Sequence, residues 1–85
     1  MTKPLEFTKH AQLMMSERVI RPEWVDQVMA APERSVDDPF DNVRKLAFGR
    51  IAEFGNRWLR VVYVETDATR RIITAFFDRG EDRRK

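Results

Sequence analysis

The hydrophobic positions divide the chain into a helical part and a strand-rich part. Apolar residues recur at helical spacing in two short segments, Lys9–Arg18 and Pro22–Ala30. From Arg44 to Phe77 the pattern changes to runs of β-branched and aromatic residues separated by turn residues, which is typical of antiparallel strands. The pattern therefore predicts two helices followed by a sheet.

Local signals predict where the two helices begin and end. The hydroxyl of Thr8 can accept from a free amide in the first turn of the first helix. Pro22 suits the first position of the second helix, and Pro32 disfavours helix at the residue before it. Helices this short are not stable alone, so both must pack on the sheet. Short strands are also predicted at Pro4–Phe7 and at Ser35–Val36.

The turns between the predicted strands suggest a register for the sheet. Gly55-Asn56 is a two-residue hairpin signal that would pair Phe54 with Arg57. A loop over residues 66–69 would pair Glu65 with Arg70. In this register Arg50 and Arg60 lie on opposite faces, and both faces are largely apolar. The helices can cover one face, so the other is expected to be concave, covered by the tail or used by a partner.

These elements predict one α+β domain over residues 1–85, with an ordered core at 5–78 and a charged tail at 79–85. Two N-terminal α-helices would pack on one face of a three- to four-stranded antiparallel β-sheet. A chain of 85 residues buries only about 60–65% of the surface that it exposes when unfolded, so its stability margin is modest.

Composition narrows the classes of function. The chain has no cysteine, which excludes disulfides and thiolate metal sites, and neither a metal nor a cofactor is predicted. No stretch approaches the roughly 20 apolar residues of a membrane span, so we expect a cytoplasmic protein. The net charge is +2, with arginines concentrated late and acidic residues at 33–41. This asymmetry suits an anionic partner, and it also suits a solvated surface with counter-charges nearby.

Arginines and one histidine are the candidates for chemistry. A guanidinium can clamp a phosphate with parallel hydrogen bonds, and His10 could act as a general acid or base. We therefore take His10, Arg44 and Arg50 as candidate catalytic residues, and Arg18, Arg60 and Tyr63 as candidate phosphate- or RNA-binding residues. Four of them have a structural alternative: His10 as a capping or packing residue, Tyr63 in the core, and Arg44 and Arg50 in salt bridges to the acidic middle segment.

Several short motifs resemble a small prokaryotic family catalogued as domain of unknown function DUF4258. They include a threonine-lysine-histidine-alanine start at residues 8–11, an arginine that ends the first helix, and a second helix that closes before a proline. The strands at residues 59–64 and 71–76 also match that family's last two strands. The resemblance covers roughly Glu6 to Phe77. More distantly, the order of elements is similar to the BrnT toxins of the RelE-like ribonucleases.

The toxin resemblance implies a RelE/BrnT-like fold and a metal-independent endoribonuclease that binds RNA and has a cognate antitoxin protein as partner. One position departs from it, because Phe76 stands where BrnT-type sequences carry an arginine. Two further interpretations therefore stay open. The protein could be an inactive relative of the toxins, or a non-catalytic protein-interaction or homodimerisation module. Whether it is an enzyme is left undecided by the sequence.

Overall fold

A computed structural model describes residues 3–82, with side chains through residue 80. The helices are α1 (Lys9–Arg18), α2 (Pro22–Ala30) and the short α3 (Arg79–Asp82). The strands are β1 (Leu5–Phe7), β2 (Arg34–Asp38), β3 (Asp41–Ile51), β4 (Arg57–Glu65) and β5 (Arg70–Phe77), and a 3-10 turn at Ala52–Phe54 follows β3.

The two predicted helices are confirmed at both ends. Thr8 caps α1, and its Oγ1 accepts a hydrogen bond from the Ala11 amide at 3.0 Å. Pro22 is the first residue of α2, and that helix ends at Ala30, two residues before Pro32. Local capping and proline chemistry therefore set where both helices begin and end, while their stability depends on packing against the sheet.

The five described strands form one mixed sheet in the order β1-β5-β4-β3-β2. The α+β class is confirmed, but the expectation of three to four antiparallel strands is wrong. Leu5–Phe7 pairs parallel to β5, and hydrogen bonds from Arg70 N to Pro4 O and from Thr8 N to Ile72 O join the two strands. A three-residue strand carries too little periodicity for its partner to be predicted from sequence.

The main core lies between the helices and one face of the sheet. Here α1 packs over β5, while α2 packs over β3 and β4. The buried side chains of this layer include Ala11, Met15, Ile20, Trp24, Val25, Val28, Met29, Ile51, Leu59, Val61, Ile72 and Ala75.

The predicted β3–β4 register is wrong. Residues 52–54 form the 3-10 turn, and Gly55 and Asn56 follow with φ of 65° and 60°. Arg57 therefore pairs with Ile51 instead of Phe54. A shift by an odd number of residues reverses the faces of one strand relative to its neighbour. Arg50 and Arg60 consequently lie on the same face of the sheet.

The β4–β5 register begins as predicted and then shifts. Glu65 pairs with Arg70, and the Thr66 amide donates to Thr69 O at 2.8 Å across the loop. Tyr63 pairs with Ile72 but Val62 pairs with Thr74, so Ile73 is the extra residue of a β-bulge. The bulge aligns Phe76 with Arg60 instead of Leu59.

Part of the predicted charged tail is helical, since Arg79–Asp82 forms one turn, α3. Residues 83–85 of that tail lie outside the described residues. No helix among the described residues is long and apolar enough to cross a membrane.

Candidate functional site

The face of the sheet that points away from α1 and α2, here called the open face, has an apolar cluster of its own. Leu46, Phe48 and Val62 are buried in it, with half-buried neighbours Val36, Trp58, Ile73 and Phe76 packed around them. Phe48 is only 2% exposed although α1 and α2 lie on the other side of the sheet. Something else must therefore cover this ring.

Arginines supply part of this cover. Arg34, Phe48, Arg60 and Phe76 lie opposite one another on β2, β3, β4 and β5 and form a single row across the sheet. The guanidinium carbons of Arg34 and Arg60 are each 5.1 Å from the centroid of the Phe48 ring. Arg60 is also 5.3 Å from the Phe76 ring, and Arg18 lies 5.7 Å from the same ring. We call these five residues the arginine–aromatic ladder.

The ladder explains how a sheet with two apolar faces is covered by one helical layer. An arginine can lay its aliphatic stem and flat guanidinium on an apolar surface while its charge stays at the water. Each guanidinium–ring contact is favourable by about 0.5–2 kcal/mol, depending on how dry the pair is. Arginine side chains of the sheet, together with Arg18, therefore cover part of the second apolar face.

Arg18 reaches the ladder from the last turn of α1. Its Nη1 donates to the carbonyl oxygen of Ala75 at 2.9 Å and to Thr74 Oγ1 at 3.4 Å. These residues lie on β5 beyond the part that pairs with β1. Arg18 thus satisfies a carbonyl at the edge of the sheet. Both acceptors are neutral, so these two hydrogen bonds do not neutralise the charge of Arg18.

Arg60 lies at the centre of the ladder, between two rings. Its Nε is 3.0 Å from Asp78 Oδ2, which makes an ion pair with a mostly buried carboxylate. The Nε–H is not directed at an acceptor, so the attraction is between the charges rather than along a hydrogen bond. The side chain of Arg60 is one-third exposed, so its outer edge still reaches water.

Arg50 lies in the next row of the open face, and Glu33 holds it on two sides. Arg50 Nη2 donates to Glu33 Oε1 at 2.7 Å, and the Arg50 backbone N donates to Oε2 at 2.7 Å. The hydrogen bonds from Arg50 lower the pKa of Glu33, and Glu33 in turn raises the pKa of Arg50. The guanidinium also lies 5.4 Å from the Trp58 ring. The salt-bridge interpretation of Arg50 is therefore confirmed.

Arg44 is at the other end of the same strand. Its Nε is 3.6 Å from Asp41 Oδ2, so Arg44 also pairs with the acidic middle segment. Arg44 and Arg50 are separated by six residues of β3, or about 20 Å at the rise of an extended strand. The two cannot contact one phosphate together.

His10 and Tyr63 are not brought to the open face. His10 is exposed in the first turn of α1, and its side chain makes no hydrogen bond or ion pair within residues 3–82. Tyr63 is 7% exposed and belongs to the core beneath the helices, as its structural alternative predicted. The Tyr63 ring therefore does not lie on the open face, and its stacking role stays a prediction.

The structure thus brings together Arg18 and Arg60 from the predicted set, with Arg50 one row away. Sequence reasoning missed Arg34, Phe48 and Asp78, and it treated Phe76 only as a missing cation. A correct β3–β4 register would have placed Phe48 opposite Arg60. That register depended on the 3-10 turn at residues 52–54.

Comparison with known proteins adds one match. Residues 7–77 match the family model described as "Domain of unknown function (DUF4258)". No curated protein and no solved structure matches the chain.

Proposed function

This chain belongs to the DUF4258 family, and we propose that its open face binds single-stranded RNA. The family description assigns no activity, so the proposal is argued from the site. The observation that carries it is the arginine–aromatic ladder, in which Arg18, Arg34 and Arg60 lie against the Phe48 and Phe76 rings.

Stacking on the rings orients these arginine side chains so that they can bind a phosphate group. A guanidinium that lies against a ring uses its flat surface, while its N–H donors lie in its plane and point away from the ring at its edge. Donors at the edge can bind phosphate oxygens in pairs. Because the rings already restrict the side chains, less conformational entropy is lost when a ligand binds.

The aromatic residues of the face favour an unpaired strand over a duplex. Trp58 and Phe76 are half-buried and therefore keep part of each ring at the surface. Single-stranded nucleic acids are bound by cationic grooves in combination with rings on which bases stack, and arginine planes serve the same purpose. A duplex would offer its phosphates but would keep its bases away from these rings.

The arrangement of these residues supports RNA binding but not RNA cleavage. Cleavage by attack of the 2′-hydroxyl needs a base, an acid and a cation around one phosphate. His10 is on α1 without a contact to the ladder, and Arg44 and Arg50 are about 20 Å apart along β3. Ribonuclease activity, toxicity and an antitoxin partner stay predictions of the resemblance and are not proposed here.

Titration of a labelled single-stranded RNA by fluorescence anisotropy, over a series of salt concentrations, tests the proposal. Arg18→Gln and Arg34→Gln should each weaken binding several-fold and reduce the salt dependence, by about 0.7 in the log–log slope for each phosphate that is no longer neutralised. Arg21→Gln is the matched control. Arg21 also lies against a ring, 6.0 Å from Trp24, but on the helical layer.

Three results would contradict RNA binding at the open face. One is absence of binding at low salt, where phosphate contacts are strongest. Another is an equal weakening with Arg21→Gln, which would indicate a nonspecific charge effect. The third is competition by polyglutamate as effective as that by RNA, which would point to an acidic protein partner instead.

A further inference from the structure

The outer edge of the sheet is formed by β2, and it offers an interaction surface separate from the open face. β2 is the last strand of the sheet, and among the described residues only β3 pairs with it. Alternate residues of an edge strand direct their backbone N–H and C=O groups away from the sheet, ready to pair with another strand. We propose that β2 pairs antiparallel with β2 of a second copy and joins the two five-stranded sheets into one.

Symmetry restricts this pairing. Two copies of one edge strand lie antiparallel and side by side only when the twofold axis is perpendicular to the sheet. That axis keeps the open faces of both copies on the same side. Directly opposed residues on neighbouring strands also point to the same side, so residues of the open face must oppose residues of the open face. In β2 these are Arg34 and Val36, which pair with Phe48 and Leu46 of the open face, and Asp38, which follows them in the alternating burial of the strand although the β2–β3 register shifts between Asp37 and Asp38.

Charge then selects the register. With Val36 opposite Val36 of the second copy, Arg34 lies opposite Asp38 of the second copy, and the reverse pair forms at the other end. The strand thus presents an apolar centre between two opposite-charge pairs. Shifting the axis to Ser35 removes both charge pairs. Shifting it to Asp37 puts two aspartates directly opposite each other, which is destabilising.

The turn after β2 supports the same partner. Phe40, at the tip of that turn, is 97% exposed. If the proposed register is extended past Asp38, the turn passes beside Pro32 and Glu33 of the second copy. A large exposed ring of this kind would then gain an apolar neighbour across the twofold axis. The added contact is useful, because a five-residue strand by itself buries less than a stable interface needs.

The dimer leaves the ladder accessible. Pairing through the edge covers neither face, and the two open faces become neighbours in one surface. Arg34 belongs to both the ladder and this pairing, but the readout of the pairing is the molecular mass measured without RNA, so its failure and the failure of RNA binding are distinguishable.

Sedimentation velocity of the full chain over a dilution series tests the pairing. The wild-type protein should shift from monomer to dimer as its concentration rises. Arg34→Asp and Asp38→Arg should each shift the midpoint at least tenfold toward higher concentration, because each opposes like charges. The double variant Arg34→Asp/Asp38→Arg restores opposite charges in both pairs and should dimerise again.

The double variant also controls for local damage. Asp38 Oδ1 accepts a hydrogen bond from the Phe40 amide, so Asp38→Arg alone could loosen the turn. The double variant also lacks that hydrogen bond, and only a direct pairing of residues 34 and 38 predicts its recovery. Asp37→Asn, on the other face of β2, removes only an exposed ion pair with Lys45 and should leave the midpoint nearly unchanged. A monomer at every concentration, or a double variant no better than the single ones, would overturn the proposal.

Discussion

Arg60 and Phe76 lie directly opposite each other on β4 and β5, with the guanidinium carbon of Arg60 5.3 Å from the centre of the Phe76 ring. Arg18 lies 5.7 Å from the same ring. Phe76 stands where the toxin resemblance expects an arginine. In this chain the position carries an aromatic ring that both Arg18 and Arg60 contact. Phe76 therefore positions two cations that are already present and does not supply a third.

Replacing Phe76 by arginine should therefore destabilise the protein instead of repairing a site. The new charge would face Arg60 directly, and like charges opposite each other in a sheet are unfavourable. The stacking of Arg18 and Arg60 on the ring would also disappear, for a decrease of about 1–3 kcal/mol in the free energy of unfolding. Urea denaturation measures the change.

Phe76→Leu is the control for this substitution, since it keeps an apolar side chain and removes only the ring. It should cost less than Phe76→Arg. A Phe76→Arg protein as stable as the wild type would show that Arg18 and Arg60 do not depend on the ring.

Gly49 lies in a close contact between α2 and the sheet. A Cβ added at Gly49 would lie 3.0 Å from Val28 Cγ2, on the core side of β3. Val28 is buried and has little room to move. Gly49→Ala should therefore lower the free energy of unfolding by about 1–3 kcal/mol through overpacking.

The Val28→Ala background separates crowding from backbone effects. There the methyl group that Gly49→Ala introduces keeps only an ordinary contact of 3.6 Å with the Cβ of residue 28, and the added cost of this substitution should largely disappear. Thermal or urea unfolding of the four proteins in this cycle gives the coupling. If Gly49→Ala costs the same in both backgrounds, contact with Val28 is not its cause.

The helices could be predicted from sequence because their signals are local. Thr8, Pro22 and Pro32 act on their own neighbours through capping and backbone restriction, and the observed bounds follow them. The sheet was predicted less well, because its register depends on how the chain turns. Gly55-Asn56 resembles a two-residue hairpin turn, but the 3-10 turn before it lengthens the connection.

The prediction of the candidate site was wrong for the same reason, the register of the sheet. Arg50 and Arg60 were assigned to opposite faces by one register, and a three-residue shift puts them on one face. The β-bulge at Ile73 then decides that Phe76 faces Arg60. Neither shift has a signal in the residues themselves, so the ladder could not be predicted. The ion pairs of Arg44 and Arg50 could be anticipated as structural alternatives, because the acidic residues at 33–41 are evident from the sequence.

The Glu33–Arg50 pair should make stability depend on pH. Arg50 lowers the pKa of Glu33 below 4.5 in the folded state, first through the side-chain hydrogen bond. In the window between the lowered pKa and the unfolded value, the unfolded chain binds more protons, so stability falls as pH falls. The stabilisation is fully present above the unfolded value and is lost as pH falls through the folded one.

Glu33→Gln tests this linkage. The difference in free energy of unfolding between wild type and Glu33→Gln should be largest near neutral pH and shrink as pH falls from about 5 toward 3. Denaturation at several pH values measures it. A difference that does not change with pH would mean that the charge of Glu33 does not contribute.

Val19 is the residue whose replacement should stabilise the protein. It ends α1 in the left-handed conformation, with φ of 56° and ψ of 45°, and its side chain is 76% exposed. Its amide donates to Met15 O and Ser16 O, an arrangement that helices usually complete with glycine. A β-branched residue is strained there, so Val19→Gly should raise the free energy of unfolding by about 1 kcal/mol.

Val43→Gly is the matched control, because Val43 is also an exposed valine but lies in β3 without a positive φ. There glycine only adds freedom to the unfolded chain, and the variant should be less stable by about 0.5–1 kcal/mol. Thermal unfolding of both variants should therefore shift the midpoint in opposite directions. If both shift it downward, the backbone at Val19 is not strained enough to outweigh the entropy that glycine adds to the unfolded state.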